Sequence, residues 1–211
     1  MQTSISTLKR HKHFAPLIKK HGKPALDWGR PGLNNPFRSL LRSIIYQQVS
    51  GAAAASILKK FVALFGGKKF PKPAEVLKTR NAKLRSAGLS PQKIKYVKDL
   101  AKKFSDGTIR PRSLSKMNND EVIEHLVKVK GIGVWTAHMF LIFTLNRPDI
   151  LPTGDLGIQK GFQIMYGLKK LPSPEQMEKL AKPWRKHASY ASWYLWRVAD
   201  EAKVKNTPKR K

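Results

Sequence analysis

The sequence predicts an all-α chain. Apolar residues recur at helical spacing in several segments, serine, asparagine and proline stand where those segments begin, and no extended run of strict alternation bounded by turns occurs. From Phe37, the pairs Leu40/Leu41 and Ile44/Ile45 and then Val49 lay out an amphipathic helix leading into Gln47 and Gln48. After Gly51 an alanine-rich run from Ala52 to Leu64 reads as a second helix, packed through small residues and ended by Gly66 and Gly67. A helical turn around Ala74–Leu77 follows the breakers Pro71 and Pro73, and a further segment runs from Leu84 to Gly88. Ser90-Pro91 then opens the periodic run Ile94, Val97, Leu100 and Phe104, with proline in the first turn. Its other face carries Lys93, Lys95, Lys98, Lys102 and Lys103, which suits either a solvated face or part of a path for a polyanion. Asn118-Asn119 caps a helix over Asp120–Lys128, whose acids sit near its positive end, and further helices start near Val134 and Leu156. The polar, basic ends, residues 1–13 and 203–211, are assigned no fold and read as tails.

Charge narrows the partner. With 42 Lys+Arg against 13 Asp+Glu, the formal charge is +29 over 211 residues, far beyond what solubility requires, and a polyanion is the natural counterpart. A ribosome-associated or merely very soluble protein would satisfy the same charge. A 41% hydrophobic content with five Trp, five Tyr and nine Phe is enough for a buried core in one domain or two closely packed lobes. No apolar run approaches the roughly 20 residues of a membrane span, and the start, Met1-Gln2-Thr3-Ser4-Ile5, lacks the apolar region of a signal peptide. An intracellular protein is therefore expected, in a bacterial cytoplasm or a eukaryotic nucleus. The absence of cysteine excludes disulfides, cysteine-ligated zinc and a cysteine-bound iron–sulfur cluster.

Between the helix ending near Val127 and the one starting near Val134 lie Lys130, Gly131, Ile132 and Gly133. Two glycines around one aliphatic residue allow a tight turn with the aliphatic group tucked between the helices, and the following helix offers free N–H groups to an anion such as a phosphate. An ordinary helix-to-helix turn fits these residues as well. Further on, Pro152-Thr153-Gly154-Asp155-Leu156-Gly157 presents one carboxylate, which on its own suits a helix cap.

The run Gly131-Ile132-Gly133-Val134-Trp135-Thr136-Ala137 followed by Asp155 resembles the helix-hairpin-helix (HhH-GPD) DNA glycosylases, in their alkylation-repair, AlkA-like or 3-methyladenine glycosylase II branch. Phe37-Arg38-Ser39-Leu40-Leu41-Arg42-Ser43-Ile44-Ile45-Tyr46-Gln47-Gln48-Val49-Ser50 and Ser192-Trp193-Tyr194-Leu195-Trp196-Arg197 look like the same branch, so the resemblance covers roughly residues 14 to 200. It implies a two-lobed helical fold with DNA in a cleft and a damaged base flipped into a pocket. The domain would span 14–202, with lobes of roughly 38–149 and of 14–37 plus 150–202. The chain is too short for the extra N-terminal sheet domain of one AlkA type, so the compact form, acting as a monomer on double-stranded DNA, is expected.

By the same resemblance Asp155 is the catalytic carboxylate, able to favour the positive charge that builds on the sugar as an N-glycosidic bond breaks. Trp135 stands where bifunctional members carry a lysine that forms a Schiff base, so hydrolysis without strand cleavage is implied. Its indole can stack on an alkylated, cationic purine. Met139 and Trp196 join it as base-pocket residues, and Gln48, with Gln47, falls where the family inserts a side chain into the gap left by the flipped base. Lys130, Gly131, Ile132, Gly133 and Val134 form the phosphate-binding hairpin. The carbonyls of Val127, Val129 and Ile132 are placed to hold a structural sodium or potassium ion, and no catalytic cofactor is implied. The run Lys182–Tyr190 departs from the family's pattern, with Ala188 where an arginine is usual. The expected function is excision of 3-methyladenine- and 7-methylguanine-type bases. A non-catalytic damage-binding protein and a glycosylase for deaminated purines are the rivals.

Overall fold

Local signals explain where most helices begin. In the computed structural model, which describes residues 2–26 and 35–206, the first helices are α1 (Gln2–Lys9) and α2 (Phe14–His21). Asn35 accepts the Arg38 N–H and Pro36 occupies the first turn of α3 (Pro36–Tyr46). Ser50 likewise caps α4 (Gly51–Ala63). The short helices α5 (Pro73–Lys78) and α6 (Asn81–Ser86) precede α7 (Pro91–Ser105), which Ser90 caps with Pro91 behind it. After α8 (Pro111–Leu114), Asn118 and Glu121 form a reciprocal capping box on α9 (Asn119–Leu126). Then come α10 (Val134–Phe143), α11 (Leu156–Tyr166), α12 (Pro174–Ala181), a 3₁₀ helix over Lys182–His187 and α13 (Ala188–Asn206). Among the described residues there is no strand, so the chain is all-α. No helix among them is long and apolar enough to cross a membrane.

The chain divides into two units, Arg30–Leu145 and Met1–Gly29 with Asn146–Lys211. In the first, α3 buries Phe37, Leu40, Leu41, Ile44 and Ile45 and packs against α4 and α7, while α9 packs on α10. In the second, α11 lies along α13 at very close range. A Cβ on Gly161 would stand 2.5 Å from the Leu195 carbonyl oxygen, so only glycine permits that approach. Gly161→Ala is therefore expected to lower stability by about 1–3 kcal/mol, as overpacking does, read as a shift in thermal midpoint. Beside this seam Phe14 meets Trp184 edge-on at 5.3 Å and Phe162 stacks on Tyr166 at 5.7 Å. Tyr194, fully buried, donates its hydroxyl to the Gly22 carbonyl at 2.8 Å, and burial pushes its phenol up to about 12.

Several expectations are corrected. Residues 2–9 are helical and not a tail: Ser4 and Leu8 are buried, α1 packs on α2, the 3₁₀ segment and α13, and Ser4 hydrogen-bonds His187 at 2.9 Å. That burial depends on tertiary neighbours that a short polar stretch does not advertise. At the other end α13 continues through Asn206, so Lys203 belongs to a helix, and residues 207–211 lie outside the described ones. The two units, Arg30–Leu145 and the remainder of the chain, stand beside expected lobes of roughly 38–149 and of 14–37 plus 150–202. Val49 is exposed beyond the end of α3, because the helix stops at Tyr46 and Gln47 turns extended. The lysine face of α7 is not uniformly solvated either. Lys93 and Lys98 each donate to two backbone carbonyls, and Lys103 pairs with Asp99.

Candidate functional site

The hairpin belongs to the unit Arg30–Leu145. Val127 ends α9, Val129 N–H donates to the Leu126 carbonyl and Ile132 N–H to the Val129 carbonyl, both at 3.0 Å. Ile132 is buried, as a plug between two helices should be. Gly131 adopts a φ of +83° above the Tyr96 ring, where a Cβ would come within 2.2 Å of a ring carbon. Side chains secure the turn from outside: Gln47 donates its amide to the Gly131 carbonyl at 2.8 Å, and Asp99 accepts the Lys130 N–H at 2.8 Å. Hydrogen bonds from Lys103 and from the Lys130 backbone, with the charges of both lysines, outweigh desolvation and hold the Asp99 carboxyl below its ordinary range. Gly133 then caps α10 with no side chain of its own, so the first turn of that helix presents Val134 and Trp135, both about half exposed. A hairpin held from behind with a helix N-terminus at its tip suits an anion.

On α10, Trp135 and Met139 stand one turn apart on the same face, the indole exposed and the thioether half-buried. The α3–α4 loop carries Gln47 and Gln48. They do not behave alike: Gln47 is half-buried and bonded to the hairpin, whereas Gln48 is exposed with φ of +54°, a left-handed conformation uncommon for a residue with a Cβ. The pair expected to intercalate together thus separates into an inward strut and an outward side chain.

Asp155 lies in the other unit, half-buried at the N-cap of α11. Its Oδ1 accepts the Ile158 N–H at 2.9 Å and the Trp196 indole N–H at 3.0 Å. The carboxylate is therefore a helix cap and also the partner of the aromatic side chain expected beside it. Gly157 makes this contact possible, since a Cβ there would sit 2.9 Å from Trp196 Cδ1 and 3.0 Å from Asp155 Oδ1. Two N–H donors at a helix N-terminus fix the direction of the carboxylate.

Sequence reasoning missed what holds the approach to Asp155. Ser189 accepts the Ile150 N–H at 3.0 Å, donates to the Arg147 carbonyl at 2.6 Å, and its own N–H reaches the Pro148 carbonyl at 2.9 Å. Arg185 donates to the Asp149 carbonyl and to Glu178. The run Lys182–Tyr190, read as a departure from the pattern, thus pins residues 147–150. Ala188 is fully buried where α13 begins, and a side chain as long as arginine has no room there without repacking.

The chain also matches known proteins in sequence and fold. A family model described as "HhH-GPD superfamily base excision DNA repair protein" matches residues 41–186. The chain is similar to DNA-3-methyladenine glycosylase 1 of Schizosaccharomyces pombe, with 33% identity over 165 residues that cover 78% of this chain and 72% of that protein. Among solved structures it resembles a DNA-3-methyladenine glycosidase of Bacillus halodurans, with a TM-score of 0.82, 32% identity, and 95% of this chain and 91% of that one covered. It also resembles the S. pombe 3-methyladenine DNA glycosylase in complex with abasic DNA, with a TM-score of 0.79, 29% identity, and coverage of 94% and 97%.

Proposed function

The chain belongs to the HhH-GPD superfamily of base excision DNA repair proteins, in its DNA-3-methyladenine glycosylase branch, and from that premise we propose that it excises alkylated purines from double-stranded DNA by hydrolysis, without cutting the strand. The observation that carries this reading is Asp155 at the head of α11 with its Oδ1 held by Ile158 N–H and Trp196 Nε1–H. A carboxylate fixed in direction before the reaction stabilises the oxocarbenium-like sugar without reorganising, and it is suited to orient the attacking water.

The leaving group does part of the work. A 3-methyladenine or 7-methylguanine base is a cation on the sugar, departs neutral, and requires little help from an acid. The exposed indole of Trp135 offers a π face to such a cation, worth about 0.5–2 kcal/mol, and Met139 supplies an adaptable apolar neighbour. Trp135 bears no amine, so the Schiff-base route to strand cleavage has no nucleophile at that position. The hairpin Lys130–Val134 binds a phosphate of the strand through backbone N–H groups, and Gln48 enters the space vacated by the flipped base. The carbonyls of Val127, Val129 and Ile132 are neutral hard oxygens that fit a sodium or potassium ion. Val129's already accepts the Ile132 N–H and has a second lone pair to offer. Such an ion would brace the hairpin and take no part in bond breaking.

Trp196→Phe removes one donor to Asp155 and leaves a smaller aromatic ring. The expected result is a roughly tenfold slower base release with little change in duplex affinity, the size of one hydrogen bond to a charged group. The reading as a whole is tested with duplexes carrying 3-methyladenine, 7-methylguanine, hypoxanthine or 8-oxoguanine, scoring base release and strand breaks before and after alkali. Release of the alkylated purines with strands intact until alkali is expected. Breaks without alkali, or a covalent adduct trapped by borohydride, contradict the hydrolytic mechanism. Hypoxanthine as the preferred base would make this a glycosylase for deaminated purines, and tight binding without release a damage-recognition protein.

A further inference from the structure

The three positions Lys93, Tyr96 and Asp99 stand at three-residue intervals on α7 and meet two different loops. Tyr96 lies under Gly131, and Asp99 accepts the Lys130 N–H at 2.8 Å. Lys93, half-buried, sends its ammonium to the end of α3 and the loop that follows, donating to the Ile45 carbonyl at 2.6 Å and to the Gln47 carbonyl at 2.7 Å. Those carbonyls stand at the C-terminal end of α3, where a helix leaves its acceptors without partners and its dipole is negative. From that loop Gln47 reaches back to the Gly131 carbonyl at 2.8 Å, which closes a ring of contacts from α7 through the loop to the hairpin and home to α7. The next residue, Gln48, has the strained φ of +54°. Strain of that kind persists only where the surroundings over-determine the backbone.

We propose that Lys93 is a positioning residue that fixes the α3–α4 loop against the hairpin, so that the side chain entering the DNA stack and the turn gripping the backbone act as one rigid piece. The inference rests on the proposed roles of Gln48 and the hairpin, and it does not require that the chain break a glycosidic bond. Lys93 touches no DNA in this scheme. It removes the freedom of the loop, Gln47 transmits the register to Gly131, and Gln48 is held projecting outward with its left-handed backbone. Burial lowers the Lys93 pKa, as fits an ammonium taken partly out of water and given carbonyl acceptors in exchange. Without these bonds the loop would sample conformers in which Gln48 lies back on the protein, and extrusion of the base would carry the ordering cost.

The test uses a duplex with 2-aminopurine beside an abasic-site analogue, whose fluorescence rises when the stack is opened, alongside anisotropy titration of an undamaged duplex. Variants of the whole chain are Lys93→Met, Lys93→Arg, Gln47→Ala, the Lys93→Met/Gln47→Ala double and Gln48→Ala. Lys95→Met is the control for loss of one positive charge on the same helix. The preference for the abasic duplex over the undamaged one, with the 2-aminopurine signal, is expected to fall roughly tenfold in Lys93→Met, as for lost hydrogen bonds to a charged group. It should be largely restored in Lys93→Arg and fall no further in the double variant than in the worse single one. Lys95→Met is expected to weaken both duplexes alike and leave the preference unchanged. Gln47→Ala, a truncation at a half-buried loop position, keeps the test open should Lys93→Met fold poorly. The proposal is overturned if Lys93→Met behaves as Lys95→Met does, if the two single effects add in the double, or if the parent binds DNA with no change in 2-aminopurine signal. A parent that opens the stack yet releases no base would instead count against the glycosylase reading alone.

Discussion

Asp155→Asn is expected to reduce the rate of alkylpurine release by roughly 10²–10⁴, the range associated with loss of a charge-stabilising or general acid–base group, while duplex binding and thermal midpoint stay close to the parent's. The contrast follows from the double duty proposed for this residue. Asn is as good an N-cap as Asp, and its Oδ1 can still accept the Ile158 N–H and the Trp196 indole N–H. What it lacks is the negative charge that the proposed mechanism sets against the developing positive charge on the sugar. Asp155→Ala separates the two duties further, because it adds the loss of the cap, worth about 0.5–2 kcal/mol. Rate measured under single-turnover conditions beside melting curves for parent, Asn and Ala resolves both. An Asn variant as fast as the parent would reduce Asp155 to a cap.

The second large effect is expected at Gly131. Alanine there meets two separate obstacles, a backbone φ of +83° and a Tyr96 ring carbon 2.2 Å from the new Cβ. The left-handed backbone costs a residue with a Cβ about 1–2 kcal/mol, and forcing the ring aside costs roughly 1–3 kcal/mol. Because the hairpin is built on that ring, relief by movement would displace the Lys130 N–H from Asp99 and the Gly131 carbonyl from Gln47. Gly131→Ala is thus expected to lose both stability and duplex affinity, the latter tenfold or more if a phosphate contact is lost. Replacing Tyr96 by leucine in the same variant should recover the steric share and leave the backbone share. Affinity by anisotropy and stability by denaturant titration check the two shares. Full affinity in Gly131→Ala would mean that the turn does not touch the DNA backbone.

Much of this was legible from sequence because it is local. Serine before a proline-led helix and asparagine before an acid-led one mark their first turns, and the helices at Ser90 and Asn118 start there. The residues of the hairpin and Asp155 stood out by type and order. For Asp155 the structure adds what the sequence could not give, that the oxygen capping α11 is also the one Trp196 holds.

What the sequence concealed depends on distant partners. A lysine on the polar face of an amphipathic helix looks solvated, yet Lys93 and Lys98 cap the carbonyl ends of α3 and α5 across the fold. Nothing in a short basic stretch reveals that α1 buries Leu8. Ser189 looks like any serine, and only the folded chain shows it tying down Arg147, Pro148 and Ile150 ahead of the catalytic candidate. Gln47 and Gln48 are identical in type and adjacent in sequence, and only the folded chain shows one bonded to the Gly131 carbonyl and the other in a left-handed conformation.

Hydrolytic excision is tested most directly by following free 3-methyladenine released from methylated duplex DNA with protein in excess over DNA, against the spontaneous loss from the same DNA without protein. Release well above that background, sparing the strand, is the expected result. Release no faster than background, from a protein that demonstrably binds the same duplex, would contradict it.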